Sequence, residues 1–355
     1  MQKIIISLFL LIRVITCNAQ TIGGNAVFNF LKLPNTPQLT GLGDINISTI
    51  SDDVGMSFNN PALLRPVMHT QLTTVFTSMY AGIKNYHTMI GYRNQHLQTN
   101  FAFGIHYLDY GSIPQTDAAG NILGSFRPAD YVVQGTASRM YGDKWYYGAS
   151  LKLVISNYGL YRSSAILMDV GAAYYDSSNL IQASLAIKNM GTQIKKYEGT
   201  AGDDMPFDLQ IGITKRLQKA PLQFSVTAHH LHQFDIRYND TSFNNENGFN
   251  QNNRQKSFAM DKLFRHFVFA TQCYVGDKIE ITGAYNHLRR NELNIFGTSN
   301  GLNGFSLGVG VLFKKIQIRY ARAYYQNNTA YNQVGINLKL NEYFGLGNFG
   351  QRVGW

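Results

Sequence analysis

Three closely spaced histidines, His229, His230 and His232, are the residues of this chain that come nearest to chemistry. Along a β-strand successive side chains point to opposite faces, so His230 and His232 would share a face as a conceivable pair of metal ligands. The sequence places no carboxylate or third histidine to complete that pair, so these rings are expected to be lumen or interface aromatics. Serines and aspartates are scattered, and no cluster offers a nucleophile, a base and an orienting carboxylate. Gly23-Gly24 and Gly41-Leu42-Gly43-Asp44 lack both the Lys-Ser/Thr and the βαβ unit of a phosphate loop and read as turns. The sequence therefore predicts no catalytic residue, no cofactor, no cofactor-binding site and no metal site, and it points away from an enzyme.

The elements that must carry these residues have a period of two. Phe101, Phe103, Ile105 and Tyr107 alternate with Asn100, Ala102, Gly104 and His106. Trp145, Tyr147, Ala149, Leu151, Leu153 and Ile155 alternate with smaller or polar residues that include Ser150 and Lys152. Phe207 to Thr214, Phe305 to Phe313 and Gln333 to Leu340 repeat the pattern. One apolar face and one polar face per strand is the signature of a transmembrane barrel. Extended along the chain, the pattern predicts about fourteen antiparallel strands, near 69–80, 84–93, 98–109, 128–140, 144–156, 163–175, 179–190, 205–216, 221–234, 263–275, 277–288, 302–313, 315–325 and 330–341. A secreted sandwich or propeller would also alternate, but its strands would be nearer about 5–6 residues long.

The connections sort into short ones, such as Gly142-Asp143 and Gly276-Asp277, and longer polar ones near 110–127, 191–204, 235–262 and 289–301. Every second connection is expected to be long, which puts the long loops outside and both termini in the periplasm. Arg289-Arg290 then falls at the outer end of a strand, where it would suit an anionic surface such as lipopolysaccharide.

Composition agrees. Only 15% of the 355 residues are charged, against roughly 25% in an average soluble domain, and mean hydropathy is −0.17. Lys3 and Arg13 bracket an apolar run, Ile4 to Ile12, that is too short for a transmembrane helix and reads as a signal peptide over 1–19, cleaved before Gln20. Loss of Lys3 and Arg13 takes the net charge from +10 to +8. A lipid-modified Cys17 is the competing reading. Of the two cysteines only Cys273 would remain, so no disulfide framework is possible. The predicted organisation is a signal peptide at 1–19, a plug-like segment at 20–68, the barrel at 69–341 and a periplasmic tail at 342–355.

The plug-like segment carries Phe28-Asn29-Phe30-Leu31-Lys32-Leu33-Pro34, then Gly41-Leu42-Gly43-Asp44, then Asn60-Pro61-Ala62. This ordered set resembles the N-terminus of PorQ-type proteins, in the PorV/PorQ group of type IX secretion proteins, itself related to the FadL family of fatty-acid-transport barrels. Leu63 stands where the broader FadL pattern has a glycine. The resemblance implies a FadL-like barrel of fourteen strands with its N-terminal segment in or under the lumen. It also implies a non-catalytic subunit of the surface attachment complex, holding a PorZ-like surface protein in company with PorU and PorV, where secreted cargo is joined to anionic lipopolysaccharide. A passive channel for hydrophobic small molecules is the alternative within the same fold. Read from the residues alone, Asn60-Pro61 is a turn, because proline fixes its own φ and pushes the preceding residue to an extended conformation.

Overall fold

The computed structural model of the chain describes residues 26–199, 202, 204–236, 259–292, 301–326 and 329–344. The expected signal peptide, Cys17, most of the 235–262 connection and the tail beyond Phe344 lie outside the described residues.

Alternation of apolar and polar residues produces strands. In chain order they are β1 (Gln71–Ser78), β2 (Lys84–Asn94), β3 (Thr99–Asp109), β4 (Ile113–Thr116), β5 (Ile122–Phe126), β6 (Ala129–Tyr141), β7 (Trp145–Tyr158) and β8 (Tyr161–Asp176). There follow β9 (Ile181–Lys195), β10 (Asp208–Arg216), β11 (Leu222–Ala228), β12 (Phe267–Val275), β13 (Ile279–Asn286), β14 (Phe305–Leu312), β15 (Ile316–Gln326) and β16 (Thr329–Lys339). Fourteen of them close into one antiparallel barrel, each paired with its neighbours in sequence order, while β4 and β5 form a separate hairpin. Closure runs through β1 and β16, from Gln71 opposite Lys339 to Ser78 opposite Asn332. A closed sheet leaves no unpaired edge, which is what lets strands cross hydrocarbon. Among the described residues no helix is long and apolar enough to do so.

The two faces separate as the period of two requires. On β7, Leu151, Leu153 and Ile155 are exposed on the outer wall, and Ser150, Lys152, Val154 and Ser156 are buried in the lumen. Aromatic bands flank the apolar belt. Tyr86, Tyr107 and Tyr131 stack across β2, β3 and β6 at the end bearing the long connections, and Trp145 meets Tyr174 at the other.

Three sequence expectations need correction. The connection at 110–127, expected only as a long polar stretch, holds the β4–β5 hairpin. The strand expected over 221–234 ends at Ala228, and the one expected over 263–275 begins at Phe267, because Ala259–Phe264 is helical, with Asp261 paired to Arg265 one turn on. The strict alternation of short and long connections also fails. All four long ones leave the same end of the barrel, but that end carries a tight turn between β7 and β8, with Gly159 at φ 69°.

Residues 26–70 fill the lumen in short turns of helix. Pro37–Gly41 is capped by Thr36, whose hydroxyl accepts from Leu39 N, and Val54–Phe58 is capped by Asp53, which accepts from Gly55 N. Almost all of this segment is buried, including Leu39, Leu42, Ile47, Met56, Leu64 and Met68. Of the two placements that the resemblance implies, in or under the lumen, the segment takes the first.

Candidate functional site

The plug docks where the wall has no side chains. A Cβ added at Gly171 on β8 would collide with Asn60 Oδ1, and one at Gly148 on β7 would meet the Pro61 carbonyl at 2.8 Å. Gly212 on β10 receives Ser48, and Gly335 on β16 receives Pro37. The Asn60-Pro61-Ala62 motif is therefore a docking turn. Asn60 is extended (φ −139°), accepts from Ala62 N at 3.0 Å and donates to Ile47 O at 2.8 Å, while Pro61 opens a single turn of 3₁₀ helix. Replacing Pro61 with Gly is expected to cost about 1 kcal/mol or more, because the unfolded chain gains freedom at a position whose φ the ring now fixes. The thermal midpoint of the folded barrel in detergent, read from its heat-dependent gel mobility, checks this; an unchanged midpoint would contradict it.

Charge fastens the plug to the wall. Arg289 pairs with Asp44, whose carboxylate also accepts from the Tyr325 hydroxyl. Arg319 on β15 lies 3.7 Å from both Asp53 and Glu280. Arg65 sits between the rings of Tyr146 and Tyr175 and donates to Gln182. On the β7–β9 side, Lys152 and Asp169 form an ion pair at 2.5 Å with both side chains buried. Opposite Asp169 the β8–β9 register shifts between Met168 and Val170, and the bulge turns two consecutive residues, Lys188 and Asn189, into the lumen. Lys188 donates to Asn59 Oδ1 at 2.8 Å, and Asn189 accepts from Lys152 at 3.1 Å. These contacts account for Arg289 differently from the sequence reading: it is buried, and its charge is spent on Asp44 rather than on an anionic surface. Arg290 donates to the carbonyls of Gly301 and Asn303.

Towards the long-loop end, Val27, Phe28, Phe30, Leu31 and Phe58 pack with wall residues Met89, Leu108, Val132 and Val154 into an apolar cluster. The same wall carries on its outer, lipid-facing side a hollow of about 450 Å³ between Tyr92, Phe103, Leu151 and Met168, above Gly135 and Ala137. Continuous pairing of β3 with β6 and of β6 with β7 separates that hollow from the lumen.

Beyond the rim, β4–β5 stands on a braced base. Arg127 donates to both Asp109 oxygens, at 2.9 and 2.5 Å, and Tyr110 and Tyr158 both donate to Asp130. Phe126 lies against Gly159, so the hairpin sits beside the β7–β8 turn with its exposed Leu160. At its tip the large apolar side chains of Ile122 and Leu123 are 73% and 65% exposed.

The histidines do not occupy a strand. Ala228 ends β11, His230 takes a left-handed conformation (φ 53°), and His230 and His232 do not share a strand face. His229 and His230 instead bring their Nδ1 atoms to 2.5 Å, beside Asp208 at the start of β10. Burial, reinforced by the neighbouring His230, holds the His229 imidazole down to about 3, and burial also lowers His230, so both rings are neutral at neutral pH. Asp208 is the group that sequence reasoning missed. It is 21 residues ahead of His229, and only the β10–β11 pairing, in which Ile211 faces Ala228, brings the two together.

No family model and no curated relative matches this chain. Solved structures do resemble it. The toluene transporter TbuX of Ralstonia pickettii is 14% identical, with 88% of this chain and 98% of that one covered at a TM-score of 0.52. A monoaromatic hydrocarbon channel, CymD, is 12% identical over 88% and 97%, at 0.49. A Pseudomonas aeruginosa FadL homologue is 12% identical over 85% and 96%, at 0.44. The chain is a closed, fourteen-stranded transmembrane β-barrel that shares its fold with TbuX, its lumen filled by its own N-terminal segment.

Proposed function

We propose that this protein is a non-catalytic outer-membrane subunit that holds surface partners, in the role that the PorV/PorQ resemblance implies: presenting a PorZ-like protein, with PorU and PorV in the same complex, where cargo is anchored to lipopolysaccharide. The observation that carries this reading is the filled lumen inside a closed wall, combined with a braced apolar hairpin beyond the rim. A barrel that holds a partner needs a rigid scaffold and a sticky outer surface, and it needs no path through itself. The apolar exposure of Ile122 and Leu123 suits burial in the core of a protein interface.

The second reading is a passive channel for hydrophobic small molecules. It is favoured by the fold shared with TbuX, described as a toluene transporter, and by the apolar cluster beneath the rim. The experiment that separates them places a photo-crosslinking residue at Leu123 in intact cells. The holding reading expects one discrete adduct with a surface protein, weakened when the neighbouring Ile122 is replaced by Ser. Absence of any adduct from correctly folded protein would count against it.

A further inference from the structure

We propose that Asp208, His229 and His230 form a binding site for a divalent first-row transition cation of the zinc class, placed where the long 229–266 connection leaves the barrel. The ligand atoms already converge. One oxygen of Asp208 and one nitrogen from each ring all lie within 4.8 Å of one another. The two Nδ1 atoms are 2.5 Å apart, and His230 Nδ1 is 3.9 Å from Asp208 Oδ2. Tetrahedral zinc with bonds of about 2.0–2.2 Å wants its ligands about 3.3 Å apart. Both separations reach that value by shifts under about an ångström, one opening and one closing.

The surroundings hold these groups as an outer shell holds metal ligands. Asp208 Oδ1 accepts from His230 N at 2.6 Å, and Oδ2 accepts from Gln210 Nε2 at 2.7 Å, so the carboxylate is fixed while keeping lone pairs free. His229 N donates to His266 O at 3.0 Å, which pins the backbone of the first ring. His266 itself is no ligand, since its ring nitrogens face the carbonyls of His229 and Phe234 at 2.7 and 3.1 Å. His230 reaches its place only through a left-handed backbone, an unusual conformation for a residue with a Cβ, and such conformations gather at functional sites. Two imidazole nitrogens with one carboxylate select zinc, nickel or cobalt over magnesium and calcium, which prefer all-oxygen sites. Three protein ligands would leave a tetrahedral ion one further position, and the His232 ring lies nearby, its centroid 5.9 Å from that of His230.

Full-length mature protein in detergent, stripped with chelator and titrated with Zn²⁺ in a calorimeter, tests the site. The expected result is one equivalent bound, with no heat from Mg²⁺. Asp208→Asn should weaken binding at least tenfold, and the double variant His229→Gln/His230→Gln should abolish it. His96→Gln, in an exposed turn between β2 and β3, should leave it unchanged. Saturable zinc binding that survives in the double variant overturns the assignment, as does its absence from the folded wild type. Because the double variant could fail to fold, Co²⁺ bound to the wild type gives an independent reading. Visible d–d bands without a sulfur-to-cobalt charge-transfer band are expected from these nitrogen and oxygen ligands, and no band, or a sulfur band, would overturn it.

Discussion

Asp169→Asn is expected to destabilise the barrel by about 3–5 kcal/mol, the usual cost of removing one partner from a buried ion pair. The Lys152 ammonium is 2% exposed, and its carboxylate partner is fully buried. Both side chains are shut off from the protein surface, and the remaining neighbours compensate weakly: a single amide oxygen from Asn189 at 3.1 Å and the Phe58 ring at 5.0 Å. The plug suffers too, because Phe58 belongs to it. Replacing both members, Lys152→Met with Asp169→Leu, should recover most of the loss, since what is expensive is the unpaired charge rather than the missing bond. Recovery will be incomplete because Asn189 N now donates to Asp169 Oδ1 at 2.7 Å and would lose that acceptor. Thermal midpoints of folded protein in detergent provide the comparison. A single variant as stable as wild type, or a double variant no better than the single, would contradict the argument.

Gly148→Val is the second large effect. The first added atom meets the Pro61 carbonyl at 2.8 Å and Ala137 O at 2.9 Å, and both are backbone groups that cannot swing aside. Either β7 shifts in the sheet or the Asn60-Pro61-Ala62 turn leaves its seat, and overpacking of this kind costs about 1–3 kcal/mol. Gly135→Val is the matched control, because an added Cβ there meets open space on the lipid side. Cells carrying Gly148→Val should admit large hydrophilic antibiotics that wild-type and Gly135→Val cells exclude. Equal exclusion by all three, with Gly148→Val folded, would mean that the plug does not seat on that glycine.

Those glycines show where the sequence stops speaking. Alternation alone put Leu151, Leu153 and Ile155 on one face and Ser150 and Lys152 on the other, and the barrel follows it residue by residue. Asn60-Pro61 was readable as a turn because proline acts on its own neighbours. Gly148 and Gly171 were readable only as lumen positions, since the reason for each is a partner far away in the chain. The same holds for Asp208 beside His229, and for Arg289, whose place at a strand end suggested an outer surface until Asp44 of the plug claimed it. The β8–β9 bulge was invisible because the pattern across Met168, Asp169 and Val170 is regular; the extra residue lies on β9, at Lys188 and Asn189. The strand expected to run through His232 failed for a local reason, the left-handed turn at His230. Local rules found the wall, and long-range polar pairing decided what fills it.

The central claim, that this plugged barrel acts by holding surface partners, is tested most directly by deleting its gene and measuring cargo attachment and uptake of hydrophobic compounds in the same cells. Cargo is expected to be released unattached while uptake is normal, and the Ile122→Ser/Leu123→Ser protein is expected not to restore attachment. Attachment unaltered by the deletion, with uptake of hydrophobic compounds impaired, would contradict it.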